Sequence, residues 1–129
     1  MSSYLLDTHC LLWWWSAENE LSDAVRSLIE NPMNTIIVSA ASAWEISTKT
    51  RIGKLPQGEQ IIAQWQKRIN EDHFDYLDIS AEHALKAGML NGEHRDPFDR
   101  MLSAQSLIEG NPLLSKDTKL DQFGISRIW

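Results

Sequence analysis

Four acidic residues, spread along the chain, have the type and setting for metal-ion chemistry: Asp7, Glu45, Asp99 and Asp117. Carboxylates that lie close together repel one another, so such a cluster persists only if its members share protons or neutralise a cation. Oxygen donors without clustered Cys or His favour a hard ion, Mg²⁺ or Mn²⁺, over zinc. An ion of this kind, alone or as a pair roughly 4 Å apart, activates water and stabilises charge on a phosphate.

The segment HRDPFDRMLSAQSLIEG, from His94 to Gly110, predicts a helix with two aspartates at its start. Asp96 suits the N-cap, Pro97 suits the first helical position, and Asp99 then falls in the first turn. Capping and compensation of the helix dipole are the ordinary explanation for these two carboxylates. The chemical interpretation therefore depends on where the other acidic residues lie.

The surrounding elements alternate between strands and helices. Apolar or β-branched runs predict strands at residues 4–6, 35–38, 74–79, 113–115 and 125–129, the last of them at an edge. Helical spacing predicts helices at residues 9–15, 23–30, 43–52, 57–71, 81–90 and 97–109, and places Ala84, Leu85 and Ala87 inward in the fifth. This order predicts one α/β domain over residues 1–129, with a mostly parallel central sheet flanked by helices on both faces.

Ligands of such folds bind in the crevice beyond the carboxyl ends of the strands. Asp7 and Asp117 follow two predicted strands, and Glu45 and Asp99 lie in the first turns of helices that this topology can aim at the same crevice. Ser42-Ala43-Trp44-Glu45 also matches a capping box, which would give Glu45 a purely structural role. The arrangement predicts that the four carboxylates converge.

Composition narrows the possible functions further. The 129-residue chain has 12 Lys and Arg against 18 Asp and Glu, a formal charge of -6, which argues against non-specific binding to nucleic acid or to an anionic membrane. The single Cys10 excludes an internal disulfide and a cysteine-rich zinc site. With no segment of transmembrane length and no leader-like start, we expect a cytoplasmic protein without membrane attachment.

The sequence resembles the PIN-domain ribonucleases, and among them the VapC-type toxins of prokaryotic toxin–antitoxin pairs. The resemblance rests on LLDTH, SAASAWEIS followed by KTRIGKL, HRDPFDRMLSAQSL and PLLSKDTKLDQFG, in that order. It implies a PIN-like fold and an endoribonuclease that hydrolyses RNA with Mg²⁺ or Mn²⁺. The four carboxylates correspond to the family's metal-binding residues, and Asp96 to a helix cap or outer-shell ligand. The alternative is a PIN-like binding module without activity, against which the four intact carboxylates count.

Several residues near the acidic positions have two competing interpretations. The cations that flank them, Arg95, Arg100, Lys49, Arg51 and Lys116, either contact substrate phosphates or are solvated charges and ion pairs. Thr8 either hydrogen-bonds within the site or caps the first helix. His9 and Cys10 are expected to pack, and Trp44 to belong to the core.

Trp13, Trp14 and Trp15 are consecutive in a predicted helix, where neighbouring side chains point about 100° apart. At least one ring is therefore expected to be exposed, as at interfaces. The resemblance implies two partners for such a surface, a cognate antitoxin and a second copy of the chain in a homodimer. The alternative is a cluster folded under the loop of residues 56–58.

Overall fold

A single parallel sheet organises the computed structural model, which describes residues 2–129. Its strands are β1 (Ser3–Leu6), β2 (Thr35–Ser39), β3 (Asp75–Leu77), β4 (Leu113–Leu114) and β5 (Arg127–Ile128). They lie in the order β3-β2-β1-β4-β5, and all four pairings are parallel. The predicted α/β class is confirmed, with β5 at an edge. The carboxyl ends of all strands consequently point to the same side of the molecule.

Seven α-helices connect the strands in the described part of the chain. They are α1 (Thr8–Ser16), α2 (Asp23–Glu30), α3 (Ala40–Arg51), α4 (Gly58–Ala63), α5 (Trp65–Glu71), α6 (Ala81–Met89) and α7 (Pro97–Glu109). Two short 3₁₀ segments, Glu18–Glu20 and Thr118–Phe123, complete the connections. Among residues 2–129, no helix combines the length and the apolarity that a membrane crossing requires.

Alternation along the strands divides the interior into two apolar cores. Leu6 and Leu114 pack into a core with residues of α1, α2, α4 and α5. Leu5 and Leu113, their strand neighbours, pack on the opposite face with residues of α6 and α7. Because successive side chains of a strand point to opposite faces, β1, β2 and β4 each contribute to both cores. Helices cover both faces of the sheet, as predicted.

Two helix boundaries differ from the prediction. α3 begins at Ala40, directly after β2, and its N-cap is Ser39, whose hydroxyl accepts a hydrogen bond from the Ala41 amide at 2.9 Å. The predicted capping box at Ser42 is therefore wrong, because Ser42 already lies in the first turn. The single helix predicted for residues 57–71 is divided at Gln64, where φ −103° and ψ 9° depart from helical values.

α6 buries a different face from the one predicted. Ala87 is buried, but Ala84 is exposed and Leu85 is 72% exposed. The buried partner of Ala87 is His83, which completes a capping box with Ser80: the Ser80 amide donates to Nδ1 of His83 at 3.0 Å. The spacing of apolar residues predicted that Leu85 would face inward, but the imidazole of His83, which caps the start of α6, is buried there and Leu85 is exposed.

Candidate metal centre

Asp7 is held at the carboxyl end of β1 by two hydrogen bonds. It is the N-cap of α1, where Oδ1 accepts from the His9 amide at 2.7 Å. Oδ2 accepts from the Ser115 hydroxyl at 2.7 Å, which β4 delivers because β1 and β4 are adjacent and parallel. Asp7 is only 6% exposed, and burial raises its pKa against the lowering effects of Ser115 and His9; the charge of Glu45 also raises it.

Asp117 lies beside Asp7 and is connected to it through Ser115. The Ser115 hydroxyl donates to Asp7 and accepts from the Asp117 amide at 3.1 Å. Asp117 caps the second 3₁₀ segment, where Oδ1 accepts from the Lys119 amide at 3.0 Å. Ser115 was not among the predicted site residues. The available signal was its position, a polar residue immediately after a buried strand.

The start of α7 contributes two further carboxylates, as predicted. Asp96 is the N-cap and accepts from the amides of Phe98 at 2.9 Å and Asp99 at 3.1 Å. Asp99 points its Oδ2 at Nε2 of His94, 2.6 Å away. Burial, together with the charges of Asp96, Asp7 and Glu45, raises the pKa of Asp99 to about 6 against the lowering effect of the hydrogen bond with His94.

Glu45 enters the site from the second turn of α3. Its side chain is buried, at 3% exposure, and its carboxylate pairs with the ammonium group of Lys49 one turn later. Ser42, its predicted capping partner, instead shares a 2.9 Å hydrogen bond with Thr8, which fastens α3 to α1. Burial lowers the pKa of Lys49, but the hydrogen bond and the nearby negative charges outweigh it and raise the pKa above its usual value.

The four predicted carboxylates therefore lie at one edge of the sheet. Asp7 and Glu45 act electrostatically on Asp99, and ligand atoms of His94, Asp99 and Asp117 lie within 4.8 Å of one another. His94 was not predicted. It lies two residues before the Asp96 cap, and this closeness in the sequence is the only signal that could have identified it. A group of carboxylates with one imidazole, partly buried and mutually repelling, fits a divalent cation such as Mg²⁺ or Mn²⁺.

The predicted substrate-contacting cations fall into two groups. Arg100 and Lys49 are engaged within the protein: the guanidinium of Arg100 donates to the carbonyl oxygens of Ala87, Leu90 and His94, and Lys49 pairs with Glu45. The second group, Arg95, Lys116 and Arg51, is exposed. Their contacts with a substrate stay a prediction, and Arg100 already has a structural task.

Two cavities open beside the carboxylates. The larger, about 710 Å³, is bounded by Thr8, His9, Leu12, Trp13, Ser16, Ala17, Glu20, Glu45, Ile46, Lys49, Lys54, Leu55 and Gln57. The smaller, about 260 Å³, is bounded by Asp7, His9, Cys10, Trp13, Ser115, Lys116 and Asp117. His9, which was expected to pack, is exposed between them, whereas Cys10 is buried. The carboxylates can thus be reached from two sides.

The expectation of an exposed ring in the tryptophan cluster is wrong. Trp13, Trp14 and Trp15 are all half-buried against the core that contains α1. Trp13 packs on the terminal Trp129, with ring centroids 5.7 Å apart, and Trp15 packs on Trp65 at 5.4 Å. Trp13 and Trp15, which point in different directions from α1, therefore pack against separate aromatic partners. An interface role for the cluster stays a prediction.

Trp44 also departs from the prediction. It was assigned to the core, but it is 53% exposed and makes an edge-to-face contact with Phe98 at a centroid distance of 4.8 Å. The reason is the side of α3 that packs inward: Glu45 and Ile46, the next two residues, are buried, so Trp44 is rotated away from the interior.

The fold and the site define a parallel α/β domain with a cluster of acidic side chains at the carboxyl end of its sheet. The sequence model of the PIN domain matches residues 4–125. The chain therefore belongs to the PIN-domain family.

Relatives of known sequence are ribonucleases by name. The chain is 27% identical over 121 residues to Ribonuclease VapC22 of Mycobacterium tuberculosis, which covers 93% of this chain and 91% of that protein. It is 49% identical to Ribonuclease VapC16 of the same organism over 41 residues, 30% of this chain and 29% of that one.

Solved structures share the fold. VapBC2 from Rickettsia felis, solved bound to a DNA fragment from the promoter, contains a chain that matches with a TM-score of 0.72 and 17% identity, over 98% of this chain and 97% of that chain. A domain of a functionally unknown protein from Methanocaldococcus jannaschii matches with a TM-score of 0.58 and 16% identity, over 100% of this chain and 91% of that one.

Proposed function

We propose that this chain is a Mg²⁺-dependent endoribonuclease and the toxin of a toxin–antitoxin pair, with Mn²⁺ as a possible substitute. The observation that carries the proposal is the meeting of Asp7, Glu45, Asp99 and Asp117 at one accessible edge of the sheet. Family membership and the names of the relatives support RNA as the substrate.

Each side chain of this edge has a role in binding and orientation. Asp7 and Asp117 each commit one oxygen to a backbone amide, which fixes the direction of the carboxylate. Glu45 and Asp99 add their charges from α3 and α7. A bound Mg²⁺ would supply an activated water and neutralise charge on the phosphate. The exposed Arg95 and Lys116, which flank Asp96 and Asp117 in the sequence, would contact phosphates of the RNA.

Lys49 supplies positive charge inside the site. It is one-third exposed and faces the buried Glu45, and the charges of Asp96 and Asp99 also act on it. A phosphodiester brings negative charge to an edge that is already acidic, and the net charge of the chain is -6. Lys49 together with the cation offsets this repulsion locally, so an acidic protein can bind RNA at this edge.

The proposed partners are an antitoxin protein and a second copy of the chain. The likeness to a chain of VapBC2 and the relation to proteins named VapC support the antitoxin. The homodimer and a cytoplasmic location rest on the family resemblance alone.

The test is RNA cleavage by the purified chain, free of any inhibitor, with Mg²⁺, Mn²⁺, Zn²⁺ or EDTA. We expect cleavage with Mg²⁺ or Mn²⁺, none in EDTA, and none by Asp7→Asn, which keeps a capping side chain at the start of α1. Asp23→Asn, at the exposed start of α2, is the matched control and should cleave normally. Full activity in EDTA or in Asp7→Asn would refute the proposed site. RNA binding without cleavage by the wild type would favour the inactive binding module.

A further inference from the structure

His94 is the one nitrogen donor within the acidic cluster of the described chain that can join two carboxylates around an ion. We propose that His94 is a direct ligand of the bound divalent cation, together with Asp99 and Asp117, and that it raises the affinity of the centre for Mn²⁺ relative to Mg²⁺. The inference rests on the metal-dependent function proposed above, because it concerns the same site. It adds a ligand and a metal preference that oxygen donors alone do not imply.

The three donor atoms lie close enough to share one ion after small side-chain movements. One ligand atom from each of His94, Asp99 and Asp117 lies within 4.8 Å of the other two, and the His94–Asp99 pair is 2.6 Å apart. Donors around one octahedral ion are about 3 Å apart when adjacent and about 4 Å apart when opposite. The side chains of His94 and Asp99 are 19% and 21% exposed, so both are partly shielded and still accessible to an ion.

The backbone that carries His94 is held from two sides. The Arg100 guanidinium donates to the His94 carbonyl at 2.9 Å, and Oε1 of Gln122 accepts from the Glu93 amide at 3.0 Å. Gly92 has φ +136°, and a Cβ there would meet Oε1 of Gln122 at 2.5 Å. Residues with a side chain rarely adopt this positive φ, so the position favours glycine. The loop is thus fixed in the conformation that directs the imidazole at Asp99, as a preorganised ligand requires.

Ligand chemistry then predicts the preference. Mg²⁺ takes oxygen ligands and retains several waters, so an imidazole adds little to its binding. Ions of the transition series bind nitrogen more strongly, and Mn²⁺ is the member that also suits carboxylates. A histidine that only hydrogen-bonded Asp99 would not discriminate between the two ions. Glutamine at this position keeps an N–H donor for Asp99 and lacks the imidazole nitrogen.

The experiment uses Mn²⁺ alone as the probe of the full chain. Pulsed electron paramagnetic resonance detects ¹⁴N coupled to Mn²⁺ when an imidazole is a direct ligand. We expect this coupling in the wild type and its loss in His94→Gln. His9→Gln is the matched control, because Nδ1 of His9 lies 4.0 Å from Asp7, and the coupling should persist there. Calorimetry should show Mn²⁺ affinity ~10-fold or more weaker in His94→Gln, and Mg²⁺ affinity changed by less than ~3-fold.

Absence of ¹⁴N coupling in the wild type, or its persistence in His94→Gln, would overturn the proposal and leave His94 as a group that orients Asp99. If His94→Gln fails to fold, His9→Gln grown with ¹⁵N-histidine replaces it, and an unchanged spectrum would be equally decisive. The outcome is separable from that of the proposed function: coupling without RNA cleavage would support the ligand and refute the nuclease, and cleavage without coupling would do the reverse.

Discussion

Replacing Asp99 by Asn should make the metal-free protein more stable at neutral pH. Burial, together with neighbouring charges, raises the pKa of Asp99 to about 6 from its usual 3.8, so holding it ionised in the folded state costs free energy. Asn is neutral, has nearly the same shape, and keeps an oxygen that accepts from His94. A metal-binding cluster that lacks its metal is therefore expected to gain stability when it loses one charge.

The size of the gain follows from the shift in pKa. Two units correspond to about 3 kcal/mol at 1.36 kcal/mol per unit. The loss of a negative charge from the first turn of α7 destabilises the helix by about 0.3–1 kcal/mol, which reduces the gain in stability. The net expectation is about 2 kcal/mol, or roughly 8 °C in melting temperature for a domain of this size.

The dependence on pH has a definite sign. Between about pH 4 and 6 the folded state binds a proton at Asp99 that the unfolded state releases, so the wild type loses stability as the pH rises through this window. The advantage of Asp99→Asn should therefore be largest above pH 7 and vanish below about pH 4. Because the variant and the wild type are compared at the same pH, the effect of other titrating groups on stability is common to both proteins.

The assay is thermal unfolding of the wild type, Asp99→Asn and Asp23→Asn in EDTA, from pH 4 to pH 8. Asp23 begins α2 and is exposed, so its replacement reports the dipole contribution together with a surface pair to Arg26, and it should lower stability slightly. Added Mg²⁺ should stabilise the wild type and Asp23→Asn more than Asp99→Asn. If Asp99→Asn melted at or below the wild-type temperature at pH 7.5, or differed from it equally at every pH, the electrostatic reasoning about this site would be refuted.

Two further predictions concern contacts outside the carboxylate cluster itself. Lys49→Gln should lower the free energy of unfolding in EDTA by roughly 1–3 kcal/mol because the buried Glu45 loses its counter-charge, and saturating Mg²⁺ should narrow that gap in urea titrations. Lys67→Gln, which breaks a surface pair, is the control, and a gap that Mg²⁺ does not narrow would contradict the idea. Trp15→Ala should cost ~2–4 kcal/mol, through a lost edge-to-face contact and indole hydrogen bond, and clearly more than replacement of the half-exposed Trp44. Equal losses in the same titrations would argue against the packing described for the cluster.

The sheet and the placement of the acidic residues were predictable because local signals agree there. The run Thr35 to Val38 is β-branched, and the strand extends over Thr35–Ser39. Asp7 ends a buried apolar run, and Asp96 and Pro97 form an unambiguous helix start. In each case the residues that define the element are adjacent in the sequence. Contacts between distant segments are not needed to define these elements.

The start of α3 was not predictable from local pattern. Ser39 and Ser42 are both good N-caps, and Ser42 has a glutamate at the capping-box distance. What decides between them is tertiary: Ser42 bonds to Thr8, and Glu45 is drawn to the site beside Asp7. A glutamate that caps a helix and one that lies buried in a site have the same sequence signature.

Contacts between distant segments account for the remaining errors. His94 takes its position from Gln122, 28 residues later, through a loop whose geometry no periodicity encodes. The half-burial of Trp13 depends on Trp129 at the other end of the chain, and that of Trp15 on Trp65. A helical projection predicts the directions of the three rings, but it does not predict which other elements of the fold contact them.

Three acidic residues of the site, Asp7, Asp96 and Asp117, are also the caps of the segments that follow them. Asparagine serves that structural task about as well as aspartate does. A single-base change from an Asp codon to an Asn codon could therefore remove the charge on which ion binding depends while the fold persists. In a lineage of such chains, loss of the proposed chemistry is a short and structurally tolerated step, and silent, well-folded descendants are expected to arise repeatedly.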